Sequence, residues 1–151
     1  MAPVANSENG RTLGGPPVLL WDGRASSRHD RHGVLISPRI LAIEDDPSLR
    51  ALYVDAFEGD GFEVITAANG AEGLDRLESR PDVILLDLMM PVMDGYTFLT
   101  ALRKHNRARS IPVVVVSAVL PADHIRGAQQ VIAKPFDINR LSGILRAYAT
   151  A

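Results

Sequence analysis

Val83-Ile84-Leu85-Leu86-Asp87-Leu88-Met89-Met90-Pro91-Val92-Met93-Asp94-Gly95 is the stretch on which the reading of this chain turns. Its apolar run ending in a carboxylate reads as a strand, Val83–Asp87. Leu88–Gly95 reads as a loop and Tyr96–Lys104 as a helix. Working back, Ile40–Glu44 is a second apolar run ending in acids, again a buried strand. Asp46-Pro47 follows as N-cap and first helical residue. Leu49, Leu52, Tyr53 and Ala56 then share one helix face, and Gly59-Asp60-Gly61 ends that helix. Phe62–Ala67 is another strand, and Asn69 to about Arg80 another helix with Leu74 and Leu77 inward. Working forward, the Val-rich run in Ile111–Ser117 implies a strand buried on both faces. Val131–Ala133 is the fifth strand. Asp137 caps a last helix whose Ile138, Leu141, Ile144, Leu145 and Tyr148 point inward. Strands alternating with helices predict an α/β fold: a doubly wound, five-stranded parallel sheet covered on both sides.

Composition narrows the function classes. Of the 151 residues, 46% are hydrophobic and 23% charged, ordinary values for a globular protein. A net charge of −2 points to neither nucleic acid nor an anionic membrane surface. The chain has no cysteine, which excludes disulfides, thiol catalysis and Cys-based zinc sites. His29, His32, His105 and His124 show no ligand spacing. No apolar run is long enough to span a bilayer, and the N-terminus lacks a secretory pattern, so the cytoplasm is the expected compartment. Residues 1–38 carry clustered Gly and Pro (Gly14, Gly15, Pro16, Pro17) and one apolar patch, Val18–Trp21. They read as a disordered tail ahead of a domain at 39–151. A docking role around Trp21, or translation starting at Val34, are the other readings of that tail.

In a parallel sheet of this kind the functional crevice lies at the carboxyl ends of the strands. There the sequence places Glu44 and Asp45, Asp87, Ser117 and Lys134. Singly, each has a bland reading as a helix-start acid, a cap, a turn residue or a surface charge. Together, at the ends of four strands, they form a chemical set. Crowded carboxylates repel one another and need a cation to stay ionised. Mg²⁺ suits them, since it prefers a few carboxylate oxygens, water and phosphate oxygens. A carboxylate can also attack phosphorus, and an ammonium and a hydroxyl can neutralise the transferring group.

These segments resemble the receiver domain of bacterial two-component response regulators, of the CheY-like, flavodoxin-like type. The matching stretches are Ile40–Pro47, Leu85–Gly95, Val116-Ser117-Ala118 and Lys134-Pro135-Phe136, and the resemblance covers about residues 39–148. It implies that Asp87 accepts a phosphoryl group from a histidine kinase or a histidine phosphotransfer protein. It implies Mg²⁺ held by Asp45, by Glu44 through water, by Asp87 and by the Met89 carbonyl. Lys134 and Ser117 would meet the phosphoryl oxygens. Pro91 and Gly95 would shape the loop, and the bond before Pro135 is expected to be cis. Asp46 stays an N-cap. With only a last helix after Lys134, the expectation is a stand-alone receiver. It would be a phosphoacceptor, not an enzyme, with output by partner binding or phosphorelay to an unidentified downstream protein.

Two departures from the family pattern stand out. Val131 occupies a position where receivers usually carry Tyr or Phe, so the signal is expected to be read through the Ser117 loop without an aromatic switch. Ser117 and Lys134 lie 17 residues apart, too few for a full intervening helix. The fourth helix is therefore expected to be shortened, to one or two turns near Ala122–Arg126. These departures favour an alternative, a phosphorylation-independent interaction module. The complete acidic, hydroxyl and lysine set favours signalling. A hydrolase with an aspartate nucleophile would need a second Asp where Met89 stands, so turnover of phosphate esters is not expected. The Met89, Met90 and Met93 cluster reads as loop packing.

Overall fold

Strand residues alternate between two apolar layers, which is what a sheet covered on both faces demands. The computed structural model describes residues 28–29, 31–119 and 124–151. Its order is β1 (Arg39–Ile43), α1 (Pro47–Gly59), β2 (Glu63–Ala67), α2 (Gly70–Asp75, tightening into a 3-10 turn at Arg76–Ser79), β3 (Val83–Asp87), α3 (Gly95–Arg103), β4 (Val113–Ser117), β5 (Gln130–Ala133) and α4 (Ile138–Ala149). The five strands form one parallel sheet in the order β2-β1-β3-β4-β5. On one face Leu41, Ile43, Ile84, Leu86, Val113 and Val115 pack with Leu77, Phe98, Leu99 and Leu102. On the other, Ile40, Ala42, Val83, Leu85, Val114 and Val116 pack with Tyr53, Phe57, Leu141 and Leu145.

The expected elements are present with shifted edges. Asp46, Asn69, Asp94 and Asp137 cap the four helices, each accepting from backbone N–H groups one turn in. The fourth strand starts at Val113, not Ile111, after Pro112, which has no N–H to give a ladder. The second helix is shorter than Asn69–Arg80 and stops where Arg80 turns left-handed, φ 56°. On α1, Leu52 is exposed and the inward residues are Tyr53 and Phe57, with Leu49 and Ala56 partly buried beside them. Most of the segment expected to be disordered lies outside the described residues. Near its end, Arg28–His29 pairs antiparallel with Leu35–Ile36. No described helix is long and apolar enough to cross a membrane.

Between β4 and β5, part of the short helix expected at Ala122–Arg126 falls on residues 120–123, outside the described set. His124–Arg126 are not helical. Ile125 and Ala128 nevertheless enter the core beside α3, and Gln129 bonds Val113 through both its backbone N–H (2.8 Å) and its side-chain oxygen (2.6 Å). The loop thus covers that face without a full helix. Val131 pairs with Val115 and packs partly buried against the same cluster.

The loop after β3 is closely built. Gly95 N–H bonds the Leu88 carbonyl at 2.9 Å, and a Cβ on Gly95 would lie 2.6 Å from the Asp87 carbonyl oxygen and 2.8 Å from Leu88 Cα. Only glycine fits there. Before it, Met93 N–H bonds the Pro91 carbonyl at 2.8 Å across Val92, whose φ is +68°. A β-branched residue in that region is strained by about 1–2 kcal/mol, and Val92 is too exposed to regain this by packing. Val92→Gly is therefore expected to raise stability by about 0.5–1 kcal/mol in denaturant unfolding, after glycine's own entropy cost. An unchanged or lower midpoint would contradict strain at this turn.

Candidate functional site

β1 and β3 are adjacent and parallel, with Ile43 opposite Leu86, so their carboxyl ends deliver acids side by side. Glu44, Asp45 and Asp87 bring carboxylate oxygens within 4.8 Å of one another. Glu44 is 2% exposed, Asp87 5%, and Asp45 opens to solvent. Lys134, just past β5, reaches over the sheet. Its Nζ lies 3.1 Å from Glu44 Oε1 and 3.6 Å from Asp87 Oδ1. The Lys134–Pro135 peptide bond is cis, as expected.

Local hydrogen bonds fix these groups. Asp46 N–H donates to Glu44 Oε2 at 3.1 Å, while the Asp46 side chain caps α1 at Ser48 and Leu49. The Arg50 guanidinium donates to the carbonyls of Glu44 and Asp45 at 2.8 and 3.0 Å, clamping the acidic turn onto the first turn of α1. Arg50 was not singled out in the sequence, where an arginine on a first helical turn carries no distinctive spacing. Lys134 N–H bonds the Ser117 carbonyl at 2.8 Å. Ser117 is buried at the end of β4, yet its hydroxyl is engaged with its own loop. It donates to the Val119 carbonyl at 2.7 Å and accepts from the Val119 N–H at 3.2 Å. The Met89 side chain is 68% exposed, so of the three loop methionines only Met90 and Met93 pack inward. The Met89 backbone N–H faces the Asp87 carboxylate and favours its charged form.

The electrostatics are those of a pocket short of positive charge. Burial, reinforced by Asp87, holds the Glu44 carboxyl above its ordinary value despite the Asp46 N–H and Lys134. Burial does the same to Asp87, against the pull of Lys134. Burial would lower the Lys134 ammonium, but its bond to Glu44 and the charges of Glu44 and Asp87 leave it raised. One ammonium cannot offset three carboxylates, so the donor set fits a hard divalent cation bound through oxygen.

An open parallel sheet with this strand order and an acidic rim at its carboxyl ends is a doubly wound, flavodoxin-like α/β domain. The chain belongs to the response regulator receiver domain family of two-component signalling, which matches residues 40–146. It is 36% identical over 115 residues to sensor histidine kinase CheAY of Helicobacter pylori, covering 71% of this chain and 14% of that protein. It is 32% identical over 120 residues to sporulation initiation phosphotransferase F of Bacillus subtilis, covering 76% of this chain and 95% of that protein. Among solved structures, chemotaxis protein CheY4 of Vibrio cholerae superimposes with a TM-score of 0.69 at 28% identity, over 75% of this chain and 99% of that one. The chain spans about half the length of the transcriptional regulators it matches.

The raised carboxyls have a consequence for stability. Folded Glu44 and Asp87 hold protons above their ordinary values of 4.5 and 3.8, where the unfolded chain has released them. Stability contributed by these groups therefore falls as pH rises through that window. Without divalent cation, thermal unfolding should show lower stability at pH 7 than near pH 5. The slope should shrink in Glu44→Gln and Asp87→Asn, and Mg²⁺ should stabilise most at neutral pH. A cation effect unchanged by both substitutions would rule out this pocket as its source.

Proposed function

We propose that the protein accepts a phosphoryl group on Asp87 from a phosphohistidine donor and signals by altered partner binding or by onward relay. The observation that carries this reading is the Lys134 ammonium shared between Glu44 and Asp87 over a buried carboxylate pair. An Asp87 carboxylate oxygen attacks phosphorus, the bond from phosphorus to the donor's imidazole nitrogen breaks, and the imidazole departs with that electron pair. Lys134 stands where it can neutralise the oxygens of the transferred group. Ser117 can join once its hydroxyl leaves Val119. Asp45, Asp87, Glu44 through water and the Met89 carbonyl would hold Mg²⁺. The cation would neutralise charge between the acceptor and the phosphoryl oxygens.

The likenesses to a sensor histidine kinase and to a sporulation phosphotransferase support a kinase or a histidine phosphotransfer protein as donor. The idea of a receiver working without an output domain of its own, at 39–151, rests on the 95% coverage of the sporulation phosphotransferase, not on where this sequence ends. The downstream partner is a protein, since the weak net charge gives nucleic acid or membrane nothing to grip. The second reading, an interaction module that no longer takes phosphate, is favoured by Val131 and by the shortened connection between β4 and β5.

Incubation with acetyl phosphate and Mg²⁺ followed by intact-mass measurement separates the two. Wild type should gain one phosphoryl group, Asp87→Asn none, and Lys134→Ala should react at least tenfold more slowly. A wild type whose mass stays unchanged under these conditions would leave the interaction module as the better reading.

A further inference from the structure

Among the described residues, Tyr53 carries a buried polar group that the site described above leaves unused. It is 0% exposed, and its hydroxyl has no hydrogen-bond partner among the described residues. Buried hydroxyls are rarely left so, and one with no protein partner is available to a partner that another state brings into reach.

Its surroundings identify that partner. The Tyr53 ring stacks between Phe57, at 5.4 Å, and Phe136, at 6.1 Å, and Phe136 follows Lys134 and Pro135 directly. The layer it belongs to is formed by Ile40 and Ala42 of β1 and by Val83 and Leu85 of β3. Strand alternation makes Glu44 and Asp87 the next residues on those same faces. Tyr53 thus packs on the sheet face that Glu44 and Asp87 continue, and burial first, then their charges, hold its phenol in the protonated, donating form.

Glu44 divides its bonds between two donors. Oε2 takes the Asp46 N–H and Oε1 takes Lys134. A phosphoryl group on Asp87 adds negative charge at the far end of the lysine's reach and draws the ammonium toward it. Glu44 Oε1, buried, is then short of a donor. We propose that Tyr53 is a positioning residue whose hydroxyl donates to the Glu44 carboxylate when Lys134 turns to the phosphoryl group. It would stabilise the phosphoryl-bearing state without touching the transferred group. A hydrogen bond is exchanged and no covalent bond or proton is transferred. The inference rests on the phosphoacceptor reading above and adds a role outside the acidic set.

The test uses the full chain with tyrosine labelled at the ring 13Cζ. Three tyrosines are present, and Tyr96→Phe and Tyr148→Phe assign the third signal by elimination. Beryllofluoride serves as the phosphoryl mimic. The Tyr53 signal should move on adding beryllofluoride with Mg²⁺ and move far less with Mg²⁺ alone. Tyr53→Phe, which keeps the stacked ring, should bind beryllofluoride about tenfold more weakly, with a smaller loss of Mg²⁺ affinity. An unmoved Tyr53 signal in wild type saturated with the mimic would overturn the proposal. So would equal losses of both affinities, the mark of a merely structural role, or no loss at all. Wild type gaining a phosphoryl group from acetyl phosphate alongside any of these results would leave the phosphoacceptor reading standing, while wild type gaining none takes both down.

Discussion

Two carboxylates are held out of water with one ammonium between them, and much else in the domain follows from keeping them there. An unpaired buried charge is far more costly than any hydrogen bond that surrounds it. Lys134 must therefore be delivered from a distant part of the chain with little freedom. The backbone bond from Lys134 to Ser117 and the packing of Phe136 against Tyr53 both bear on its placement. From the other side, Asp46 and Arg50 hold the acidic turn by its carboxylate and its carbonyls. The pocket is left short of positive charge, which favours a divalent cation. A fully neutralised cluster would have no such appetite.

Much of this was legible in the sequence because it depends on periodicity and on chemistry that few residue types can supply. Apolar runs ending in Glu44, Asp87, Ser117 and Lys134 named the strands and their functional ends together. The caps at Asp46, Asn69, Asp94 and Asp137 follow from the capping chemistry of Asp and Asn, although only Asp46 and Asp137 were read as caps beforehand. What could not be read depends on rotation about a helix or on non-local fit. Leu52 and Tyr53 are adjacent and both apolar in pattern, yet the first is exposed and the second wholly buried. A hydroxyl's missing partner is invisible in a string of letters. The positive φ at Val92 is equally hidden, because valine is among the residues least expected to adopt it.

The two departures from the receiver pattern meet at one place. Val131 packs beside Val115, under the same layer that Ile125 and Ala128 fill. A shorter connection between β4 and β5 brings less material to cover that face, and Gln129, Ile125 and Ala128 do the work by direct contact and by bonding the start of β4. Val131, a short side chain, is partly buried against these residues. The small side chain and the short connection are thus mutually consistent, and neither requires the other to be a degenerate copy of the common design.

Alternation carries the matter one step further. Along β4, Val113, Val115 and Ser117 share the face that Val131 also joins, whereas Ile40, Ala42 and Glu44 on β1 and Val83, Leu85 and Asp87 on β3 share the opposite one. The acidic rim therefore communicates with two separate cores. On the Ser117 face, β5 offers Val131 opposite Val115 and Ala133 opposite Ser117, neither with a polar group to reorient. On the Glu44 and Asp87 side sits Tyr53, stacked between two aromatic rings that extend from α1 to the residue after Pro135. On the Tyr53 proposal, a change in how Lys134 divides itself between its two carboxylates would be felt in this second core, where a polar group is held in aromatic packing between α1 and the residue after Pro135.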